Sequence, residues 1–217
     1  MERAPSSGYL SLQHSTGFPE LANNNILKAA RGEAVDQLPV WIMRQAGRYL
    51  PEFWTVREKH DFFAMCTTPE VACEVTLQPI ERFPLDAAII FSDILVVPQA
   101  MGMHLDMIPG KGPVFASPLT SQEDVDALKR PDLATDFEAY FNAIHLTRTT
   151  LAGRVPLFGF AGGPFTLFAY MVEGEGSKTF GKTKKWLFQN PESAHFVLKM
   201  LADIVSEFLL GQICSGA

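Results

Sequence analysis

Two arginines four residues apart, Arg44 and Arg48, follow at once on the short apolar run Val40 to Met43, with Ala46 and Gly47 between them. A guanidinium presents a rigid fork of N–H donors that grips a carboxylate or phosphate through two parallel hydrogen bonds, so the pair is suited to an anionic ligand. The local charge balance agrees. From Trp41 to His60, Arg44, Arg48, Arg57 and Lys59 stand against Glu52 and Glu58, although the whole chain carries a net charge of −6. The plainer account, a solvated arginine pair beside a core strand, stays open on these residues alone.

A carboxylate, Asp93, closes a second apolar run, Ala87 to Phe91, and a third run, Val155 to Phe160, leads into Gly162-Gly163-Pro164. There the backbone can turn tightly into a helix whose free amides could bind an anion. Equally, the glycines would serve only to let strand and helix pack closely.

The three apolar runs are of the kind that buried parallel strands show, and helical patterns separate them, which predicts an α/β fold. In such folds ligands bind just beyond the carboxyl ends of the strands, and adjacent strands set their loops side by side. Arg44 and Asp93 are therefore expected close together. Asn23 to Asn25 should cap a short helix over Ile26 to Ala30, and Thr68-Pro69-Glu70 should open one running toward Phe83, kinked or ended early by Pro79. The aromatic stretch Phe53-Trp54 and Phe62-Phe63 must be covered or must cover something. Gly102 to Val114 reads as a hairpin excursion; its Gly110-Lys111-Gly112 is no phosphate loop, because the earlier glycine and the following Ser/Thr are missing. Ser121 opens a helix with a capping box, and a longer one through Phe137, Tyr140, Phe141 and Ile144 closes at Gly153. Ser177 is expected to cap a helix through Trp186 and Phe188. Pro191 starts the last helix, whose Val197, Leu201, Ile204, Val205, Phe208 and Leu209 form one apolar core stripe before it finishes between Gly211 and Gly216.

With 217 residues, 47% of them hydrophobic, the chain can bury one sizeable core: a flexible arm over residues 1–17, then a single domain from 18 to 217. The negative balance predicts no nucleic-acid partner. Cys66, Cys73 and Cys214 are odd in number and lack zinc-ligand spacing, which fits reduced thiols. His14, His60, His104, His145 and His195 are scattered, so no metal is expected. Met1 to Glu20 has no continuous apolar stretch and Arg3 as its one Lys or Arg, which predicts neither a secretory signal, a transit peptide nor a membrane span, and places the protein in the cytosol.

The wording of the motifs goes further than their chemistry. Met43-Arg-Gln-Ala-Gly-Arg-Tyr-Leu-Pro-Glu-Phe53 resembles the N-terminal signature of the uroporphyrinogen decarboxylase family, Phe83 to Pro98 resembles the family's second strand with its central aspartate, and Gly159 to Gly174 is similar to a third family segment. The resemblance runs from about Phe18 to the end of the chain. It implies a TIM (β/α)8 barrel, here incomplete with about the first three β/α units, because a barrel needs eight units and about 250 residues. It also implies decarboxylation of the four acetate side chains of uroporphyrinogen to give coproporphyrinogen in haem biosynthesis, in a homodimer and without a cofactor. Asp93 would be catalytic, and Arg44, Ala46, Arg48, Arg57, Asp93 and Tyr170 would bind substrate. Tyr170 as a mere packing aromatic remains open. The family's later serine and histidine have no counterpart in this chain. Two other readings stand beside this one: a non-catalytic fragment that associates with a full-length subunit, and a corrinoid-dependent methyltransferase on the same barrel.

Overall fold

The computed structural model describes residues 17–108 and 110–217; the arm expected over residues 1–17 lies almost wholly outside them. Its elements in chain order are α1 (Asn25–Ala30), α2 (Pro51–Arg57), α3 (Phe62–Thr67), α4 (Pro69–Arg82), β1 (Ala88–Ile89), α5 (Val96–Ala100), β2 (Leu105–Ile108) and β3 (Gly112–Phe115). They continue with α6 (Gln122–Asp126), α7 (Leu133–Asp136), α8 (Glu138–Leu151), β4 (Leu157–Phe158), α9 (Pro164–Glu173), α10 (Gly181–Gln189) and α11 (Pro191–Cys214). The fold is α/β, and no closed barrel forms among the described residues. The chain divides into two compact units. The first holds the residues up to Ser92, Phe137–Phe160 and Leu209–Ala217; the second holds Asp93–Asp136 and Ala161–Phe208.

In the first unit β1 and β4 pair in parallel, Ala88 opposite Leu157 and Ile89 opposite Phe158, so the second and third apolar runs are neighbours. Each forms a shorter strand than its run. The helices α4 and α8 contribute Ala72, Ala143, Ile144 and Leu151 to a core shared with Ala88, Ile90, Val155 and Leu157. Helix α4 passes through Pro79 to Arg82 instead of ending early. A proline removes one helical N–H but does not stop a helix that tertiary packing holds in place: Gln78 beside it and Thr76 a turn earlier are buried, and Ile80 packs against the core. Thr76 also ties the helix to the sheet: its hydroxyl donates to Ala72 O at 2.7 Å and accepts from Phe91 N at 2.8 Å. A second core cluster, Leu50, Phe53, Val56, Met65, Val71 and Val75, takes in Ala46 and Phe91 at its edge. The ring of Phe91 meets both Phe53 and Phe62, which is what the aromatic stretch covers. Gly211 is tight against α8, where a Cβ would stand 2.2 Å from the ring of Phe141.

The expected first strand, Val40 to Met43, is not a strand. Val40, Ile42 and Met43 are 48%, 57% and 70% exposed, and the run is irregular. Its backbone makes one strand-like bond, from Asp86 N to Val40 O at 2.9 Å, and side chains take the next positions. Asp86 Oδ2 accepts from Val40 N at 2.7 Å, and Gln45 Oε1 accepts from Ile42 N at 3.1 Å. An apolar run cannot distinguish a ladder of backbone bonds from one replaced by side-chain groups, because the same residue types satisfy both.

In the second unit β2 and β3 make the expected antiparallel hairpin, with Leu105 opposite Phe115 and Ile108 opposite Gly112; positive φ at Gly110 and Gly112 turns the chain. Ser121 forms its capping box with Asp124 and opens the short helix α6, separate from the longer α8, as expected. Helix α9 buries Leu167, Phe168, Ala169, Met171 and Val172 and ends at Gly174, whose carbonyl accepts from Phe115 N at 2.7 Å. Ser177 does not cap α10 directly. Its Oγ accepts from Phe180 N at 3.0 Å one turn ahead, while Glu173 Oε1 accepts from both N and Oγ1 of Thr183 inside the helix. In α11 the stripe from Val197 to Phe208 is buried as expected, but Leu209 is half-exposed.

Candidate functional site

The loop between Val40 and α2 is built by groups other than its arginines. Gln45 is 1% exposed, and its Nε2 donates to Ala87 O at 2.9 Å, beside β1. Gln45 N donates to Ile42 O at 3.0 Å, and the Tyr49 hydroxyl donates to Gln45 O. Leu50, fully buried, donates its N–H to Gly47 O at 3.0 Å, and Trp54 Nε1 donates to Arg48 O at 2.8 Å. Pro51 then starts α2 with its fixed φ, and Ala46 rests half-buried on the core below. One turn on, Glu52 takes Arg82 in a two-bond fork at 2.8 and 2.9 Å, so the acid next to the loop is already paired with a different arginine. That pairing holds the Glu52 carboxyl below the usual carboxylate range.

Arg44 and Arg48 are exposed, and neither guanidinium has a hydrogen bond or ion pair with any described residue. Arg57 differs from them. It is half-buried near the end of α2 and its Nη1 donates to His60 O at 2.8 Å, so part of its fork is occupied by backbone. The structure brings Arg44, Ala46, Arg48 and Arg57 into the first unit.

Asp93 and Tyr170 belong to the second unit. Asp93 sits where the chain leaves β1 for α5, and its Oδ1 accepts from Leu95 N at 2.7 Å, which fixes the carboxylate on the turn. Burial pushes the carboxyl above the ordinary aspartate value, and the Leu95 amide pulls it only partly back. Its Oδ2 has no partner among the described residues. Tyr170, half-buried on α9, likewise has a hydroxyl without a protein partner among them. Helix α5, which the Asp93 turn leads into, packs on α9. At the start of α9 a Cβ on Gly162 would lie 2.4 Å from Leu167 Cδ2 and 3.1 Å from Ile94 Cβ, so this glycine is there for packing; Gly163 meets nothing within 4 Å. The reason given for Arg44 and Asp93 to be adjacent, loops at the ends of two neighbouring strands, loses its first strand.

Sequence reasoning missed Gln45 and Asp86. Both are buried and both lock the arginine loop to the entrance of β1, Asp86 also accepting from Asn23 Nδ2 at 2.8 Å. The available signal was a lone acid directly ahead of an apolar run, and an uncharged amide between an arginine and an alanine. Among the described residues no group of His, Cys, Asp and Glu is set to hold a metal ion, and no helix is long and apolar enough to cross a membrane.

Comparison with known proteins places these motifs. The family model described as uroporphyrinogen decarboxylase (URO-D) matches residues 21–217. The uroporphyrinogen decarboxylases of Homo sapiens and Pongo abelii are each 57% identical over 202 residues, 93% of this chain and 55% of theirs. That of Schizosaccharomyces pombe is 55% identical over 203 residues, 92% of this chain and 56% of its own. The chain thus spans about half the length of the curated relatives it matches. Among solved structures, a methyltransferase from Methanosarcina mazei superposes with a TM-score of 0.70 over 91% of this chain and 57% of its own, at 20% identity, a likeness of fold.

Proposed function

We propose the function that follows from one fact: this chain belongs to the uroporphyrinogen decarboxylase family. In the whole protein it takes part in removing carbon dioxide, one acetate at a time, from the four acetate side chains of uroporphyrinogen, leaving the methyls of coproporphyrinogen in haem biosynthesis. One observation carries the reading. The loop's other polar side chains, those of Gln45 and Tyr49, are engaged in holding it, while the forks of Arg44 and Arg48 are free for carboxylates.

The chemistry suits these residue types. Breaking the bond to carbon dioxide leaves an electron pair that needs a sink, and a pyrrole protonated on its ring carbon is one; a proton then takes the place of the lost carboxyl and the ring carbon gives up its own, so one proton is taken up for each carbon dioxide released. The substrate supplies the sink itself, so the reading asks for no further cofactor. Asp93, with Oδ2 free, accepts hydrogen bonds from pyrrole N–H groups and stabilises the ring as it becomes cationic. Arg44 and Arg48, with the remaining donors of Arg57, neutralise substrate carboxylates, Ala46 lines the same loop, and the Tyr170 hydroxyl donates to a carboxylate. An arginine stays charged to about pH 12 and is a reluctant acid, which leaves Asp93 in the stabilising role.

The same reading makes residues 18–217 the N-terminal portion of one (β/α)8-barrel domain, in a cytosolic homodimer. The methyltransferase reading is not favoured, because 20% identity to such a protein stands against 57% to the decarboxylases. The test is an anaerobic assay of the whole protein, following release of carbon dioxide and separating the product porphyrinogens. Coproporphyrinogen from the parent protein, lost on Asp93→Asn, is the expected result. A parent protein that leaves uroporphyrinogen intact, or an Asp93→Asn variant at the parental rate, defeats it.

A further inference from the structure

We propose that Gln45 is a positioning residue: its buried side-chain amide wedges the 40–45 segment against β1 and so holds Arg44 and Arg48 where a carboxylate ligand meets them. The inference rests on the reading of those arginines as the carboxylate clamp. Ala87 O presents a lone pair and Ile42 N a proton, facing the same 1%-exposed side chain at 2.9 and 3.1 Å. Only a group that donates at one atom and accepts at the other satisfies both. Asp86 makes the preceding rung with its backbone N–H and Oδ2 to Val40, so the segment is laid along β1 by side chains where a strand would use its own backbone. Main-chain atoms of Gln45 tie in the rest of the loop, through Ile42 O and the Tyr49 hydroxyl. Loss of the amide leaves the buried Ala87 carbonyl and the part-buried Ile42 N–H without these partners and frees the residue directly after Arg44.

The demand for one donor and one acceptor gives a test that mere destabilisation does not imitate. A glutamic acid at this position has the shape of glutamine and both functions while neutral, but as a carboxylate it turns a lone pair on Ala87 O; Gln45→Leu has neither function at any pH. Asp86, Tyr49 and Arg44 are titratable or charged groups tied to this segment, and both Gln45 variants leave them unchanged. The tetracarboxylate coproporphyrin is titrated by fluorescence against the parent protein, Gln45→Leu, Gln45→Glu and Arg44→Lys, with amide exchange of Ile42 followed in each. Gln45→Leu is expected to bind about tenfold more weakly throughout. Gln45→Glu is expected to match that loss at about pH 8 and to recover most of it by about pH 6, since burial beside a carbonyl raises a carboxyl's pKa. Ile42 protection should follow the same course. Parental affinity in both variants, or equal losses without recovery on acidification, overturns the proposal. If the parent itself does not bind, or Arg44→Lys binds as the parent does, the clamp reading fails and takes the functional half of the inference with it. The wedge is then decided by Ile42 exchange: protection regained at low pH in Gln45→Glu upholds it, and protection unchanged in every variant sinks it.

Discussion

Asp93 is held in a state that costs stability once it is ionised. Its pKa is raised by burial, so the folded chain binds the proton more tightly than the unfolded chain does, and stability falls as pH rises from the unfolded value through the folded one. Asp93→Asn removes that dependence while its side-chain oxygen can still accept from Leu95 N. The variant should therefore melt higher than the parent at neutral pH, and the difference should shrink as pH falls below the ordinary aspartate range. In the whole protein the same substitution should lower turnover on the order of a hundredfold, as loss of one preorganised charge does. The acid limb of the parental rate profile should lie above an ordinary aspartate and vanish in the variant. Calorimetry over a pH series, run beside the assay, reads both. A variant that is less stable at neutral pH contradicts the account of burial. Arg44→Lys and Arg48→Lys each keep the charge and lose the two-bond fork, so each should weaken coproporphyrin binding several-fold, with salt weakening it further. Unchanged affinity in both would return the pair to the solvated surface.

At the scale of elements, what the sequence announced is what chain-local chemistry dictates. The capping box at Ser121, the glycine turn of the β2–β3 hairpin and the proline-led start of α4 are all visible in consecutive residues. What it concealed depends on partners far along the chain: Gln45 meets Ala87, Asp86 meets Asn23 and Val40, and the run Val40 to Met43 stays out of the sheet because these side chains take the ladder's place. The motifs were legible through their wording, the groups that hold them in place were not. A similar long-range support lies at β4. Gln212 of α11 is buried and its Nε2 donates to Phe160 O at 2.9 Å, while a Cβ on Gly159 would stand 2.1 Å from Gln212 Oε1. Gly159→Ala should thus evict the amide and cost about 1 to 3 kcal/mol. Chemical denaturation of a double-mutant cycle is the check: in a Gln212→Ala background the same change should cost little, and an equal cost in both backgrounds would mean that Gln212 is not the obstacle.

For the whole molecule, the 217-residue chain expressed by itself is expected neither to turn over uroporphyrinogen nor to persist as a stable monomer. The first unit has a parallel sheet of two strands, and parallel sheets are ordinarily covered on both faces. Beside it Leu38, Val40, Ile42 and Met43 lie in consecutive positions or nearly so, with Leu38 84% exposed and the others about half or more. Full burial of such side chains is worth about 1.5 to 3 kcal/mol each. Even half of that over four residues is on the order of 5 kcal/mol, comparable with the lower end of a domain's net stability. That much apolar surface in one stretch favours association. Catalysis has a separate obstacle, since the chain spans about half the length of its relatives and the proposed clamp and aspartate need an enclosing wall that excludes water. Light scattering over a concentration series and an anaerobic assay of the same sample test the two parts together. A cooperatively melting monomer that released coproporphyrinogen would overturn both, whereas an inactive oligomer that dissociates when Ile42 and Met43 are replaced by Ser would tie the association to this run.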